Sequence, residues 1–585
     1  MRRKFAIVLT SAMMLSLAAC GTQDNASGSK FKAGTYEGTA KGFGGDIKAT
    51  VTLSGDKIEK IEVTGDKETQ GIGSVAVEKL PAKMLETQTV NVDGVSGATV
   101  SSGAIITAVT SAFEKAGVDV SKLQAVESDK KEATKETLNV DTVVVGAGGA
   151  GMTAALEAKA AGMNVIIVEK ASYSGGNTSR ATGGMNAAEI KTQKALNVND
   201  TVDQFVKDTM AGGYNKNNEK LVRKMCEESS NAIDWLAEIG APLTDLSFSG
   251  GATNKRIHRP EDGSGVGAFL VKAFNKNIEE KQIPVYYDTE ATKILTDDKG
   301  AAVGIEAKSE DKVYTINAKS VILATGGFGA NEELYTKYKP QLKGYVTTNV
   351  STITGDGIIM ATEIGANTVD MEQIQIHPTV EQSTSLLITE SVRGDGAILV
   401  NKSGVRFGDE LRTRDVVSAS IIEQEDSFAY LIFDQQLRDE LKAVEKYIEN
   451  GIVTTADSVE ELAKKIGLDE KTLSTTVSTW NKAVADKKDA EFGRNTGMDH
   501  DISVGPFYAI KIAPGVHHTM GGLEINEKAE VISKDGNAIP GLFAAGEVCG
   551  GIHGGNRIGG TAVTDIVVFG RIAGTTAADY TKSLK

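Results

Sequence analysis

The sequence predicts an α/β chain in which a doubly wound domain is interrupted by a mainly α capping insert and preceded by a small α+β domain. Three observations carry this prediction. First, the apolar, β-rich run Leu138–Val145 leads into Gly146-Ala147-Gly148-Gly149-Ala150-Gly151, a helical stretch and a second strand ending at Glu169, the βαβ pattern of a nucleotide-binding sheet. Second, a segment alternating from Tyr36, with turn residues at Gly44-Gly45 and Gly55-Asp56, reads as an antiparallel meander. Third, helical patterns at Val459–Ile466 and Leu473–Lys487 agree with a mainly α insert.

The 585 residues are several domains' worth of chain at roughly 100 to 200 residues each. Apolar residues make up 40% and charged residues 24%, enough to bury real cores. Lys and Arg number 63 against 78 Asp and Glu, a net charge of −15 that repels phosphate backbones and argues against a nucleic-acid partner. The three cysteines, Cys20, Cys226 and Cys549, form no CxxC or CxxCH, which leaves out attached haem and cysteine-ligated iron–sulfur clusters. The six histidines show no zinc spacing, and no metal site is expected.

Taken in order, residues 1–20 have a basic start at Arg2-Arg3-Lys4, an apolar stretch and small residues before Cys20, which reads as an export signal too short to span a bilayer. The end Leu17-Ala18-Ala19-Cys20 resembles the bacterial lipobox. That resemblance implies lipidation of Cys20 after cleavage and anchoring to the outer face of the cytoplasmic membrane, with residues 21–30 as a polar tether.

In the small domain, 31–120, helices are expected at Ser74–Leu85 and Ile105–Ala116. The loop Asp93-Gly94-Val95-Ser96-Gly97-Ala98-Thr99 sits at a helix start, where free backbone N–H groups favour a phosphate. The segment resembles FMN-binding domains that receive FMN through a phosphoester bond to a hydroxyl. On that resemblance Thr99 carries covalent FMN, Asp93 is the acidic residue of the motif, and maturation needs a flavin transferase. The polar stretch 121–137 reads as a linker.

In the large domain the glycines let backbone approach a pyrophosphate at a helix N-terminus, and Glu169, 18 positions beyond Gly151, suits ribose hydroxyls. An acid there argues against a 2′-phosphate, leaving FAD or NAD. Further glycine-rich turns recur at Ser174–Thr178, Thr182–Gly184, Ala324–Gly327, Thr354–Gly357 and Ala545–Glu547. From 139 to 580 the chain resembles the fumarate reductase and succinate dehydrogenase flavoprotein family, in particular its soluble, exported fumarate reductases. This implies FAD. It is expected to be non-covalent, because Ser172-Tyr173-Ser174-Gly175 stands where the membrane-complex members have the attaching histidine. The implied FAD contacts are Gly146, Gly148, Ala150, Gly151, Glu169, Asn177, Thr178, Gly183, Gly184, Asp356, His518, Glu547, Ala562 and Val563. The expected layout is an FAD domain at 138–371 and 508–585 with a cap at 372–507.

Arginines and histidines gathered with a threonine hydroxyl suit an anionic, bidentate substrate. They occur in Gln375–Thr379, Thr389–Gly394, Arg406-Phe407, Arg412–Asp415, Gly515–Gly522 and Gly554–Gly560. The resemblance assigns His377, Thr389 and Glu390 to one carboxylate of a dicarboxylate and His517 with Arg557 to the other. Arg414 is then the proton donor, relayed through Glu390 and Arg393. His258, His500 and His553 match no such motif and read as core or surface residues. Fumarate is the expected substrate, with urocanate, methacrylate or cinnamate as alternatives. Electrons would come from a membrane or extracellular donor through FMN. A flavin electron-relay lipoprotein without its own substrate is the competing reading from another class.

Overall fold

The computed structural model describes residues 31–68, 73–92, 94–95, 98–123, 133–247, 251–262 and 264–584. The signal, the tether, Cys20 and Asp93 lie outside the described residues. Among the described residues no helix is long and apolar enough to cross a membrane.

The small domain is an antiparallel sheet in the order Gly34–Lys41, Asp46–Leu53, Ile58–Thr64, backed by helices Gly73–Thr87 and Thr99–Lys115. The central strand alternates, so that Ile47, Ala49, Val51 and Leu53 face the core. Gly38 lets the second helix lie directly on the sheet, since a Cβ there would meet the Ala108 carbonyl oxygen at 1.9 Å.

The expected linker is shorter than its composition suggests. Strand Thr134–Val145 pairs in parallel with Lys312–Leu323 from Thr134 onward, so residues 134–137 belong to the large sheet. Their polar side chains read as linker because this half of the strand is solvent-facing, and pairing holds it, with Lys312 bonded to Glu136 at 2.8 Å.

That sheet has eight strands. Its parallel centre runs Val285–Tyr286, Val165–Val168, Thr134–Val145, Lys312–Leu323 and Ala538–Ala544, and helices Gly149–Ala160 and Thr561–Ser583 pack together beside it. The C-terminal segment thus completes a sheet begun four hundred residues earlier, as the split domain requires.

In the insert, helical residues outnumber strand residues; helix Val459–Ile466 matches the first expected pattern, and Glu470–Ala485 overlaps the second, expected at Leu473–Lys487. The helices are, however, mounted on a five-stranded antiparallel sheet, whose short apolar strands Ile398–Val400 and Ala429–Asp434 carry too little periodicity to be distinguished from buried helix. Alternate residues of that sheet feed two cores, Leu399, Leu431 and Tyr508 on one side, Ile398, Ile432 and Ala509 on the other. Strand Phe507–Thr519 begins in this sheet and ends paired with Ile374–Val380 beside the large domain. The expected boundary at 508 therefore falls inside one continuous strand, because Tyr508, Ile510 and Ile512 pack in the cap core.

Candidate active site

A groove runs along the C-terminal edge of the parallel strands. Its walls include Gly146, Gly148, Ala150, Glu169, Asn177, Thr178, Asp356 and Glu547, eight of the residues expected at the dinucleotide. Gly148 caps helix Gly149–Ala160 with no side-chain cap, and a Cβ on it would enter open space, so the helix N-terminus faces the groove. Gly151 serves packing instead: a Cβ there would meet the Gly146 carbonyl oxygen at 1.9 Å, which fixes the tight strand-to-helix turn. Glu169 accepts from the backbone N–H groups of Ala147 and Ala171, each at 2.7 Å. A carboxylate has about four acceptor sites, so two remain for ribose hydroxyls. Burial pushes this carboxyl up, against those two N–H donors. The donor set fits FAD.

The other expected FAD residues lie off this wall. Gly183 and Gly184 precede strand Met185–Asn186, and Gly184 abuts His258. Ala562 and Val563 occupy the first turn of helix Thr561–Ser583, whose left-handed Gly560 cap offers no side chain. His518 is buried with its ring edge-on to His553, 5.3 Å between centroids, and His553 in turn meets Asp565 at 3.2 Å. Lys170 also lines the groove, bonded to Asp356 and Thr354 at 2.6 Å, and sequence reading missed it.

The second cluster is built on the ribbon of Ile374–Val380 and Phe507–Thr519 and on two short cap helices. Glu390 opens helix Glu390–Gly394, capped by the Thr389 hydroxyl, and Arg414 opens helix Arg414–Ile422. Arg414 donates Nε to Glu390 Oε1 at 2.8 Å and Nη2 to Oε2 at 3.1 Å, a bidentate pair. Its Nη1 donates to Gln375 Oε1 at 3.0 Å. Arg393, fully buried, stands 3.7 Å from Glu390 and donates to the Glu410 carbonyl. The rings of His377 and His517 meet edge to face, 5.4 Å between centroids. His517 Nδ1 is 2.8 Å from the Thr348 hydroxyl. Arg557 is buried, its guanidinium donating to the Ile558 carbonyl at 3.3 Å while Nε has no partner among the described residues. All seven residues assigned to substrate and proton transfer, Arg414, Glu390, Arg393, His377, Thr389, His517 and Arg557, are thus in one neighbourhood.

Electrostatics sort them further. Burial and Arg414 hold His377 and His517 well below the ordinary histidine value, so both rings are neutral. His377 Nδ1 accepts from the Thr379 N–H at 3.3 Å, which puts the ring proton on Nε2, an atom without a partner among the described residues. Burial works against the Glu390 charge, but Arg414, His377 and Arg393 outweigh it and keep the carboxyl well below its usual range. Burial and Arg414 push Arg557 down to about 9, with Glu390 opposing. Among these seven residues three guanidinium groups face one carboxylate, with Glu410, Glu547 and Asp565 as more distant counter-charges.

Three contributors escaped sequence reading. Gln375 also donates Nε2 to Asn556 Oδ1 at 2.8 Å and to the Arg557 carbonyl at 2.9 Å, so it ties Arg414 to the loop carrying Arg557. Its signal was present, two positions before His377 on one strand and hence on the same face. Thr348 and Tyr447 gave none. The quoted Arg406 belongs elsewhere: it pairs with Glu410 and Asp489 and is held over Trp480. Thr99 is the first residue of helix Thr99–Lys115, whose start has no side-chain cap. Among the described residues no group of His, Cys, Asp and Glu is placed to hold a metal.

Comparison with known proteins matches the FAD binding domain family over residues 141–563 and the FMN-binding domain family over 42–114. The chain is 45% identical to the NADH:fumarate oxidoreductase of Klebsiella pneumoniae over 94% of its own length, spanning 59% of that protein. It is 46% identical to the fumarate reductase (cytochrome) of Shewanella frigidimarina, covering 76% of this chain and 78% of that one. To the urocanate reductase of Eggerthella lenta it is 37% identical, covering 96% of each. The open conformation of a flavocytochrome c3 fumarate reductase superposes with a TM-score of 0.68 at 45% identity, over 76% of this chain and 79% of that one. The chain therefore belongs to the fumarate reductase family of FAD-binding flavoproteins, oxidoreductases acting on CH–CH groups, and joins to that fold an FMN-binding domain.

Proposed function

We propose that the protein reduces the double bond of fumarate to give succinate. The observation that carries this reading is the make-up of the second cluster: three guanidinium groups with only Glu390 in ion-pair reach of them among the described residues, around a neutral histidine pair, suit a dianion. Arg557, with an unpartnered Nε, and His517 would take one carboxylate. His377, through its free Nε2–H, and Thr389 would take the other, with Glu390 beside them. Clamping both ends orients the olefin and can twist its conjugation, which lowers the barrier. FAD, once bound and reduced, would supply a hydride to one olefinic carbon and return to its oxidised form. Arg414 gives a proton to the neighbouring carbon, and Glu390, held by two hydrogen bonds, returns it with Arg393 behind. An arginine is an unusual acid because a guanidinium gives up its proton only to a very strong base. Here the acceptor is a carbanion-like carbon that is more basic still.

Electrons would enter through FMN held covalently on Thr99 from a membrane or extracellular donor, after maturation by a flavin transferase. The protein would be exported and anchored by lipid on Cys20 at the outer face of the membrane. One observation favours a second reading: the urocanate reductase relative covers 96% of both chains. Anaerobic reduction by a viologen dye, followed by reoxidation with fumarate, urocanate, methacrylate and cinnamate in parallel, decides between them. Oxidation by fumarate alone supports the dicarboxylate reading, preference for urocanate replaces the substrate and keeps the Arg414 chemistry, and no oxidation by any leaves the electron-relay reading. Thr99→Val should abolish covalent FMN with FAD retained, and Cys20→Ser should release the protein from membranes.

A further inference from the structure

The N-terminal domain meets the rest of the chain in two chemically different ways. Lys79 and Lys83 of helix Gly73–Thr87 pair with Asp288 and Glu310 of the large domain, Lys83 at 2.9 Å. These groups are largely exposed, so the pairs are weak and screened by salt. The other contact is of a different kind. Phe43 sits at the tip of the hairpin between Gly34–Lys41 and Asp46–Leu53, and Lys446 of the cap lies over its ring, Nζ 4.4 Å from the centroid. Flanked by Gly42, Gly44 and Gly45, Phe43 takes no part in its own domain's core, yet it is half-buried. Lys446 in turn is pushed below the usual lysine value by burial, with Glu449 opposing and the nearby cation of Arg180 adding to it. The electron-rich face of a ring is a suitable partner for such an ammonium.

Both sides of this contact are tied to functional segments. On the N-terminal side, the N–H of Gly44 donates to Glu68 at 2.9 Å, and the other oxygen of Glu68 accepts from the hydroxyl of Ser101, two residues after Thr99. On the cap side, Lys446 is next to Tyr447 on helix Ala443–Glu449. The buried Tyr447 hydroxyl accepts the N–H of Thr389 at 3.0 Å, and Thr389 caps the helix that begins with Glu390. Hydrogen bonds and one short helix therefore connect the turn around Thr99 to the start of the Glu390 helix, with the Phe43–Lys446 contact as the link between domains.

We propose that Phe43 and Lys446 form a docking contact through which the N-terminal domain steadies the cap helix Ala443–Glu449, and with it Thr389 and Glu390. The functional meaning rests on the reading above, in which Thr99 carries a flavin and Thr389 and Glu390 hold substrate. The contact itself does not. Hydrogen exchange on the full flavin-loaded chain tests it. In Phe43→Ala, peptides covering 443–449 and 386–394 should exchange roughly 3- to 30-fold faster, the factor a lost cation–π contact supplies. Protection of strand Asp46–Leu53 should stay unchanged and show that the small domain remains folded. Lys446→Met should reproduce the effect and Lys446→Arg should restore protection. Unchanged exchange at 443–449 in both Phe43→Ala and Lys446→Met overturns the proposal. In a Thr99→Val background fed by viologen, Phe43→Ala should also raise the KM for fumarate with kcat retained. Absence of fumarate turnover in every variant would count against the proposed reaction and leave the exchange result to decide the docking.

Discussion

Two buried arginine clusters, one inside the cap and one where the cap meets the FAD domain, differ in how completely their charges are answered. Arg406 bonds Glu410 at 2.8 and 2.9 Å and Asp489 at 3.0 Å, while Arg494 bonds Glu410 at 3.1 Å and the carbonyls of Ala397, Arg393, Thr496 and Gly497. Both guanidinium groups lie over Trp480. Burial opposes the charge of Arg406, yet Glu410 and Asp489 raise its pKa above the ordinary arginine value. In the neighbouring cluster, Arg557 has no carboxylate at ion-pair distance among the described residues, Arg393 reaches Glu390 only at 3.7 Å, and donor atoms on His377, Arg393 and Arg557 lack partners. A satisfied cluster of this kind holds a fold together. An unsatisfied one holds a place for a ligand, because burying an unpaired cation costs several kcal/mol that only an arriving anion recovers.

Substitutions can break this contrast, and the largest effect is expected at Arg414. Arg414→Ala should lower fumarate turnover by about 10²- to 10⁴-fold or more with both flavins retained, the range typical of a lost general acid. Undiminished turnover would remove Arg414 from the chemistry. Arg406→Met tests the satisfied cluster: leaving Glu410 and Asp489 short of a partner should cost about 3–5 kcal/mol of stability. Thermal unfolding would read this as a lower transition, and the KM measured well below it should not move. Arg557→Met should do the opposite, raising KM roughly 10- to 150-fold through lost charged hydrogen bonds.

The pH dependence sharpens the same point. Because the folded state lowers Arg557 to about 9, its buried charge costs stability below that pH, and the cost fades as pH rises from there toward the unfolded value. Substrate affinity runs the other way: kcat/KM for a dianion should fall as pH passes about 9, while the unliganded protein gains stability. A flat profile through this range would show that Arg557 keeps its charge in the folded protein. The smallest effect is expected at Tyr447→Phe, which leaves the Thr389 N–H without its acceptor. About 1 kcal/mol, a roughly fivefold rise in KM at constant kcat, is expected.

The two clusters also differ in how legible they were. Glu169 could be placed from spacing alone, and Arg414, Glu390 and Arg557 from their motifs. Arg406 stood in the same stretch, with only Glu410 four positions on as a local sign of pairing. Its partner Asp489 is 83 positions away, so only the folded cap reveals that Arg406 is already satisfied. Gln375 was readable by its alternation with His377. Tyr447 was not, because it acts through the Thr389 amide, 58 positions distant.

By itself, the sequence determined the nucleotide groove and two of the cap helices, because these depend on neighbours within a few residues: glycines at a strand-to-helix turn, an acid after the second strand, apolar residues at helical spacing. Tertiary structure decided the cap sheet, the shared strand Phe507–Thr519, the shortened linker and the division of the arginines into paired and unpaired. These rest on pairings between residues far apart in the chain. Whether a buried charge is answered depends on which distant carboxylate the fold brings within about 4 Å, and local composition does not carry that information.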